Sequence, residues 1–158
     1  MGTADSESKK IKWIEKRIEE VYKAYCGHLP ATAIFLNSKE DVTPFVEEMR
    51  KSSTLQNAGI DIVDGSAGNV TGSKQEIRVY PINVVKGLEF DVVFFHNIDS
   101  AGFSDEIIKR YIYVGVSRAA FFLGATLSND VPAISQYFSK QKNWKNFMDD
   151  TPSPLTTL

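Results

Sequence analysis

The stretch Asp91-Val-Val-Phe-Phe-His-Asn-Ile98 decides the fold class, because its centre is four consecutive large apolar residues. Such a run is typical of a strand that is buried on both faces of a parallel sheet. Other runs of strand length lie on both sides of it, at Ala31–Leu36, Ile60–Val63, Ile77–Val85 and Phe121–Leu127. The sequence therefore predicts an α/β fold, provided that helices lie between these strands.

Helical patterns do alternate with the strand-like runs. Ser6–Tyr25 repeats apolar residues every three or four positions, and Gly27 and Pro30 then end the helix. A second helix is predicted from Asp41 to Asn57, with Pro44 in its first turn and Asp41 or Thr43 as its N-cap. A third is predicted from about Asp105 to Ala119, with its inward side listed as Ile107, Ile108, Tyr111 and Ile112. Val131–Asp150 is predicted to be helical or mixed.

Length and composition bound the kinds of protein to consider. The 158 residues fit one domain, predicted to span 1–158 with about 6–150 ordered, and 42% of them are apolar. Cys26 is the single cysteine, the amino terminus lacks an apolar signal core, and no apolar run reaches membrane-spanning length, so we expect a cytoplasmic protein without a membrane partner. The net charge of −2 indicates either no contact with nucleic acid or one wall of a shared groove.

Three segments carry residues that could do chemistry. The glycine-rich loop Gly65–Lys74 lacks the spacing of a phosphate-binding G-x-x-x-x-G-K-[ST] loop, which favours a solvated loop. Lys86-Gly87-Leu88-Glu89 joins two strand-like runs, and it is either a plain turn or a backbone approach to a ligand at a strand end. Arg118 lies at the end of a strongly apolar helix, where it either interacts with the helix dipole or reaches a partner. Spacing alone favours the simpler interpretation for each segment.

Two of these segments together resemble a known family. Ile82-Asn-Val-Val-Lys-Gly-Leu-Glu-Phe-Asp-Val-Val-Phe94 is similar to motif V of UvrD/Rep-type superfamily 1 DNA helicases, T-x-H-x-x-K-G-L-E-F-x-x-V. Arg110-Tyr-Ile-Tyr-Val-Gly-Val-Ser-Arg-Ala119 resembles their motif VI, R-L-x-Y-V-x-x-T-R-A. The order of the two motifs is right, their short separation is that of compact members without a large accessory insertion, and the similarity covers most of Ala31 to Ser128.

The resemblance implies the C-terminal RecA-like domain of such a helicase. This is a three-layer domain of the P-loop NTPase type with a mostly parallel central sheet, and it faces a second RecA-like domain across bound ATP. The resemblance makes Arg118 the catalytic arginine finger, a group worth roughly 10³ to 10⁵ in rate. It places Lys86 and the backbone of Gly87 near the phosphates and Glu89 at the ribose, while Arg110 and Tyr113 support the helix that aims the finger.

The same resemblance assigns partners and cofactors. ATP would bind with Mg²⁺, whose ligands come from an N-terminal ATP-binding half that we expect to be absent from this chain, and no metal site is predicted here. Asn83 and Val84 would contact single-stranded DNA. Pro81 and Asn83 stand where the family usually has Thr and His, so DNA contact is less well supported than nucleotide contact, and Ser117 replaces the usual Thr.

Three functional hypotheses follow. The leading one is the second motor domain of an ATP-dependent DNA helicase or translocase, inactive as an isolated chain. The alternative is a translocase-like ATPase that remodels RNA polymerase or another protein–nucleic acid complex without unwinding DNA. A non-catalytic interaction module with the same fold is the third, and the retention of Lys86, Glu89 and Arg118 argues against it.

Overall fold

A computed structural model describes residues 3–67, 75–99, 106–107, 109–110, 113–114 and 119–127 of the chain, with side chains from residue 7 onward. Over these residues the protein forms a five-stranded sheet with three helices before its second strand. The strands are β1 (Thr32–Leu36), β2 (Asp61–Asp64), β3 (Glu76–Pro81), β4 (Phe90–Phe95) and β5 (Ala119–Ala125). The helices are α1 (Thr3–Ala24), α2 (Val42–Met49) and α3 (Ser53–Asn57).

The sheet has the order β2-β3-β1-β4-β5, and all four pairings between these strands are parallel. β1 lies at the centre, and all five of its residues are buried. β4 is buried from Val92 onward, which fits the continuous apolar run that predicted a strand covered on both faces. The predicted α/β fold with a parallel sheet is therefore confirmed.

Two apolar clusters cover the two faces of the sheet. On one face the apolar stripe of α1, with Ile14 and Ile18 fully buried, meets Met49 of α2 and strand residues such as Phe94. On the other face lies a second cluster, whose buried members are Ala33, Phe35, Tyr80, Ile82, Val85, Val93, Phe95 and Ile98. Helices occupy the first face, while the segment between β3 and β4 contributes to the second.

Helix ends follow local chemistry. α1 ends in a Schellman-type turn, in which Gly27 N–H donates to the Tyr22 carbonyl at 2.9 Å and Cys26 N–H donates to the Lys23 carbonyl at 3.1 Å. Cys26, with φ of 55°, takes the left-handed position, one residue before the glycine that was expected to end the helix. At α2 the predicted N-cap Asp41 is confirmed in position, although its side chain makes no capping hydrogen bond.

Several predicted boundaries were wrong. The helix predicted over Asp41–Asn57 is two helices, because Ser52 adopts an extended conformation and caps α3 by accepting a hydrogen bond from Leu55 N–H. The strand predicted to reach Val85 ends at Pro81, where a single 3-10 turn begins.

Differences also occur near the carboxyl-terminal end of the described residues. Ala119 was assigned to a helix but starts β5, and Ile107, which was assigned to the inward side of that helix, is 38% exposed. The other residues assigned to that inward side, and Val131–Asp150, lie outside the described residues. Within the part of the chain that the structure describes, no helix has the length and apolarity needed to cross a membrane.

Candidate functional site

The connection from β3 to β4, residues 82–89, crosses one face of the sheet. β1 lies between these two strands, and the register pairs Leu36 with Pro81 and Thr32 with Val92. Phe90 is therefore about six strand residues, or roughly 20 Å, from the level of Pro81 along the strand direction. The short connection runs from the carboxyl edge of the sheet to its amino edge, passing over β1.

Apolar side chains fix this crossing segment to the sheet. Ile82 and Val85 are buried, and Leu88 and Phe90 pack against the same cluster, so that an anchor occurs at every third position from 82 to 88. The Phe90 ring also contacts Phe35 edge-on, with ring centroids 6.0 Å apart. One side of the segment is thus held firmly against the sheet.

The opposite side of the segment carries the predicted site residues. Asn83, Lys86 and Glu89 are exposed, and Val84 keeps 47% of its surface exposed. The alternation follows from the spacing, because residues between the apolar anchors must face away from the sheet. The sequence-predicted residues Asn83, Val84, Lys86, Gly87 and Glu89 therefore share one exposed surface, which we call the outer side of the crossing segment.

A tight turn presents Lys86 and Glu89. Leu88 N–H donates to the Val85 carbonyl at 3.2 Å, and Gly87 at the third position of this turn has φ of +86°. A positive φ at that position is what a type II turn requires and what glycine adopts without strain. Apart from its chain neighbours, no atom of the described residues lies within 4 Å of the place where a Cβ of Gly87 would be, so a ligand could approach this backbone directly.

The amino end of β4 is fixed to β1 beside this turn. Asp91 accepts a hydrogen bond from Ala31 N–H at 3.0 Å, and its own N–H donates to the Ala31 carbonyl at 2.8 Å. The turn therefore lies at the amino edge of the sheet, and not at the carboxyl edge where ligands of open α/β sheets usually bind. A ligand site for Lys86 and Glu89 at the carboxyl ends of the strands, which the sequence suggested, is therefore wrong. Asn83 and Val84, which follow β3 directly, remain near the carboxyl edge.

β5 starts next to this turn. Phe90 of β4 pairs with Ala119 of β5, so the residues that lead into the two strands enter the sheet side by side at the amino edge. The paired strands are those that follow, in sequence, the segment with Lys86 and Glu89 and the segment with Arg118.

Part of the chain is similar to a known protein family. Residues 76–121 match the family model of the UvrD-like helicase C-terminal domain. The predicted resemblance to UvrD-like helicases is confirmed over this segment. It contains the crossing segment, both paired strand ends and the region around Arg110 and Arg118. No curated protein sequence matches the chain.

A solved structure has a similar fold. It is the C-terminal domain of a possible DNA helicase from Lactobacillus plantarum WCFS1, and it is 16% identical in sequence to this chain. The similarity has a TM-score of 0.59 and covers 80% of this chain and 71% of the other. At this identity the likeness concerns the fold, and it agrees with the predicted C-terminal RecA-like architecture.

The remaining predicted site residues are placed unequally. Arg118 lies outside the described residues, so the proposed arginine finger stays a prediction. Arg110 is exposed and Tyr113 is 68% exposed, and their supporting role also stays a prediction. In the described ranges no group of three or more His, Cys, Asp or Glu side chains is arranged to hold a metal ion.

The predicted glycine-rich loop is described only at its start. Asp64 accepts hydrogen bonds from the Ser66 backbone N–H and hydroxyl, and the Tyr80 ring lies 2.4 Å from the Cβ position of Gly65. Residues 65–67 form a single 3-10 turn against Tyr80, and 68–74 lie outside the described residues. The hydrogen bonds to Asp64 therefore stabilise a local turn at the start of the loop.

Sequence reasoning missed a polar cluster at the carboxyl edge, which we call the edge cluster: Glu7, Asn37, His96, Asn97 and Thr126. The side-chain amide of Asn97 donates to both Glu7 carboxylate oxygens, at 3.1 and 2.9 Å. The backbone carbonyl of Asn97 accepts a hydrogen bond from the side-chain amide of Asn37. The buried His96 contacts Glu7 through Nε2 and the Thr126 hydroxyl, 3.0 Å away, through Nδ1. The signal in the sequence was polar residues directly after strands, at positions 37, 96 and 126.

The Thr126–His96–Glu7 series has the order of a hydrolase triad but not its function. The Thr126 hydroxyl accepts a hydrogen bond from Asn97 N–H at 3.0 Å, and Thr126 is only 8% exposed. A nucleophile must be accessible to its substrate, whereas this hydroxyl is buried and is already hydrogen-bonded to the Asn97 N–H and the His96 ring. The series therefore joins α1 to the ends of β4 and β5.

Electrostatics in the edge cluster favour neutral histidine and ionised glutamate. Burial lowers the pKa of His96 below its usual value, although Glu7 acts in the opposite direction. Burial by itself raises the pKa of Glu7, but hydrogen bonds from Asn97 and His96 together with nearby positive charge outweigh it, so the pKa of Glu7 is lowered. A neutral His96 donating from Nε2 to the Glu7 carboxylate satisfies both groups.

Proposed function

We propose that this chain is the second motor domain of an ATP-dependent DNA helicase or translocase. It would complete a nucleotide site shared with an N-terminal RecA-like half and would contact single-stranded DNA. The observation that carries this proposal is the exposed, anchored turn with Lys86, Gly87 and Glu89 at the amino edge, next to the start of β5. The match of residues 76–121 to the UvrD-like C-terminal family supports it.

Arg118 precedes Ala119 and Glu89 precedes Phe90, and Ala119 and Phe90 are paired. Neighbouring strands lie about 4.8 Å apart and consecutive Cα atoms 3.8 Å apart, so connectivity limits the distance between residues that precede two paired positions to about 12 Å. We therefore propose that Arg118 and Glu89 meet one nucleotide bound against the amino edge.

Each residue would have a distinct role in binding ATP with Mg²⁺. Lys86 would place an exposed positive charge near the phosphates, and the open backbone at Gly87 would let a phosphate approach. Glu89 would accept a hydrogen bond from a ribose hydroxyl. Arg118 would neutralise charge that develops on the γ-phosphate as its bond to the β-phosphate breaks. Ligands for Mg²⁺ would come from the N-terminal half.

DNA would bind at the other end of the crossing segment. Asn83 and Val84 are exposed near the carboxyl edge, where the amide of Asn83 can hydrogen-bond a phosphate or sugar and Val84 can contact a base. The net charge of −2 is unfavourable for a domain that holds DNA alone, so this surface would form one wall of a groove shared with the N-terminal half. No described feature favours RNA polymerase as a partner.

The experiment compares point variants in the full-length protein that carries this chain. Arg118→Ala should lower ATP turnover by roughly 10³-fold or more while leaving ATP affinity within a few fold, because the finger acts on the transition state. Lys51→Ala is the matched control for removal of a positive charge, since Lys51 is 71% exposed on the loop before α3 and pairs only locally with Glu48. Retained turnover in Arg118→Ala would remove the finger from the proposal.

A second experiment addresses Glu89 directly. The wild type should bind one of the two analogues, 2′-deoxyATP or 3′-deoxyATP, about tenfold or more weakly than ATP. The weaker analogue is the one that lacks the hydroxyl bound by Glu89, and the size of the loss is that of a hydrogen bond to a charged group. Glu89→Ala should bind all three equally, at the level of the weakest. If the variant still discriminates among them, another residue recognises the ribose. The purified chain alone should show no ATP turnover, and measurable turnover would contradict the shared-site proposal.

A further inference from the structure

The amino-terminal turns of α1 are held to the sheet in a different way from the rest of the helix. Ile11 is the first buried residue of α1, and Ile14, Ile18 and Val21 continue the apolar contact. None of the four side chains described before Ile11 is buried, and Glu7 and Lys10 are the two that contact the sheet ends. The start of α1 is therefore attached by polar contacts, while its body is attached by the apolar core.

These polar contacts converge on a single residue after β4. Asn97 adopts a left-handed conformation with φ of 51°, and its amide donates to both oxygens of Glu7. The Asn97 side-chain oxygen accepts a hydrogen bond from Lys10 at 2.8 Å, and its backbone N–H donates to Thr126. A residue held at positive φ by this many partners forms a defined latch and is unlike a plain loop residue.

A cavity of about 510 Å³ lies beneath this latch. Its lining includes Glu7 and Ser8 of α1, Asn37 after β1, Asp41 before α2 and Asn97 after β4. From β1 the chain continues to β2, at one end of the strand order, whereas from β4 it continues to β5, at the other end. Connections that diverge at adjacent carboxyl ends open a crevice, which is the usual ligand position of an open α/β sheet.

We propose that residues 7–10 form a hinged cover over this crevice, with Ile11 as the hinge and the Glu7–Asn97–His96 contacts as the latch that keeps it closed. Among the side chains described from residue 7 onward, opening breaks polar contacts and leaves the apolar stripe from Ile11 in place. Glu7 and Asp41 both line this cavity.

Hydrogen exchange of the full chain tests the cover. Local opening that is separate from global unfolding appears as selective loss of protection. Glu7→Gln should raise exchange about tenfold or more at backbone amides 7–13 and near residue 97, while the amides of residues 14–24 keep their protection. Glu19→Gln is the matched control on the same helix, because Glu19 makes only an exposed i,i+4 pair with Lys23.

A second variant separates a latch from general destabilisation. Asn97→Gly removes the amide that contacts Glu7 and retains a residue suited to positive φ. It should reproduce the exchange pattern of Glu7→Gln, and the double variant should be less open than the sum of the two single effects, since both substitutions remove the Glu7–Asn97 contact. Equal loss of protection along the whole of α1, unchanged exchange in Glu7→Gln, or additive effects in the double variant would each overturn the proposal.

Discussion

Replacement of Gly87 by Ala tests whether the turn that presents Lys86 and Glu89 is as the structure describes. Gly87 has φ of +86°, and no atom lies within 4 Å of its Cβ position, so the substitution introduces backbone strain without a steric clash. A side-chain-bearing residue in the left-handed region costs about 1–2 kcal/mol. The smaller conformational entropy of an unfolded chain with Ala offsets about 0.4–1 kcal/mol of this. We expect a net loss of about 1 kcal/mol in the free energy of unfolding.

Thermal unfolding of the purified chain measures that loss. For a domain of this size 1 kcal/mol corresponds to a fall in Tm of about 2–4 °C. Gly59→Ala is the matched control, because Gly59 also has positive φ, +66°, with nothing near its Cβ position, and it lies far from the crossing segment in sequence. Both variants should lose similar stability. Gly87→Asn should recover part of the loss, since Asn tolerates the left-handed conformation better than Ala.

ATP turnover by the full-length protein then separates the turn's stability from its function. Gly87→Asn should recover stability but not turnover, because its side chain would project where a phosphate is proposed to approach the backbone. Gly59→Ala should retain turnover despite its lower Tm. Two results would refute the reasoning: a Gly87→Ala chain as stable as the wild type while Gly59→Ala is destabilised, or a Gly87→Asn protein that recovers turnover together with stability.

Three further predictions follow from single contacts. Gly65→Ala should lower the free energy of unfolding by about 1–3 kcal/mol, measured by urea unfolding, because a Cβ would meet the Tyr80 ring at 2.4 Å; Tyr80→Ala in the same background should remove the clash and make the two substitutions non-additive. Ser52→Ala should cost about 0.5–1 kcal/mol in the same assay through loss of the α3 cap, and Ser52→Gly less. The pKa of His96 is lowered in the fold, so the unfolded chain binds the proton more readily and stability should fall as the pH drops below about 6.5; His96→Gln should flatten that part of the pH profile.

The sequence predicted the sheet well because its strands carry strong, simple patterns. The apolar run at Val92–Phe95 is buried as expected, and so is the run that became β1. Boundaries were less accurate where a local hydrogen bond decides them. Ser52 divides one periodic stretch into two helices by capping the second, a contact that apolar periodicity does not reveal. Pro81 ends β3 early because the chain must turn there to pass over β1.

The turn in the candidate site was predictable, but its position in the fold was not. The sequence indicated that Gly87 permits a tight turn, and the structure has a turn there with Gly87 at positive φ. Strand order is a property of the whole fold, so the sequence could not place that turn at the amino edge. The edge cluster was missed for the same reason, because Glu7 and Asn97 are separated by 90 positions and meet only when α1 lies on the sheet.

The crossing segment explains how residues proposed for two different ligands can lie close in sequence and yet near opposite edges of the sheet. Its inward residues at 82, 85 and 88 enter one apolar cluster, which prevents the segment from shifting along β1. Asn83 is consequently held near the carboxyl edge and Glu89 near the amino edge, while the strand ends that flank the segment, Pro81 and Phe90, are about 20 Å apart along the strands. Substitution of an outward residue should therefore disturb one ligand, whereas a smaller side chain at the buried Val85 would loosen the attachment of both ends at once.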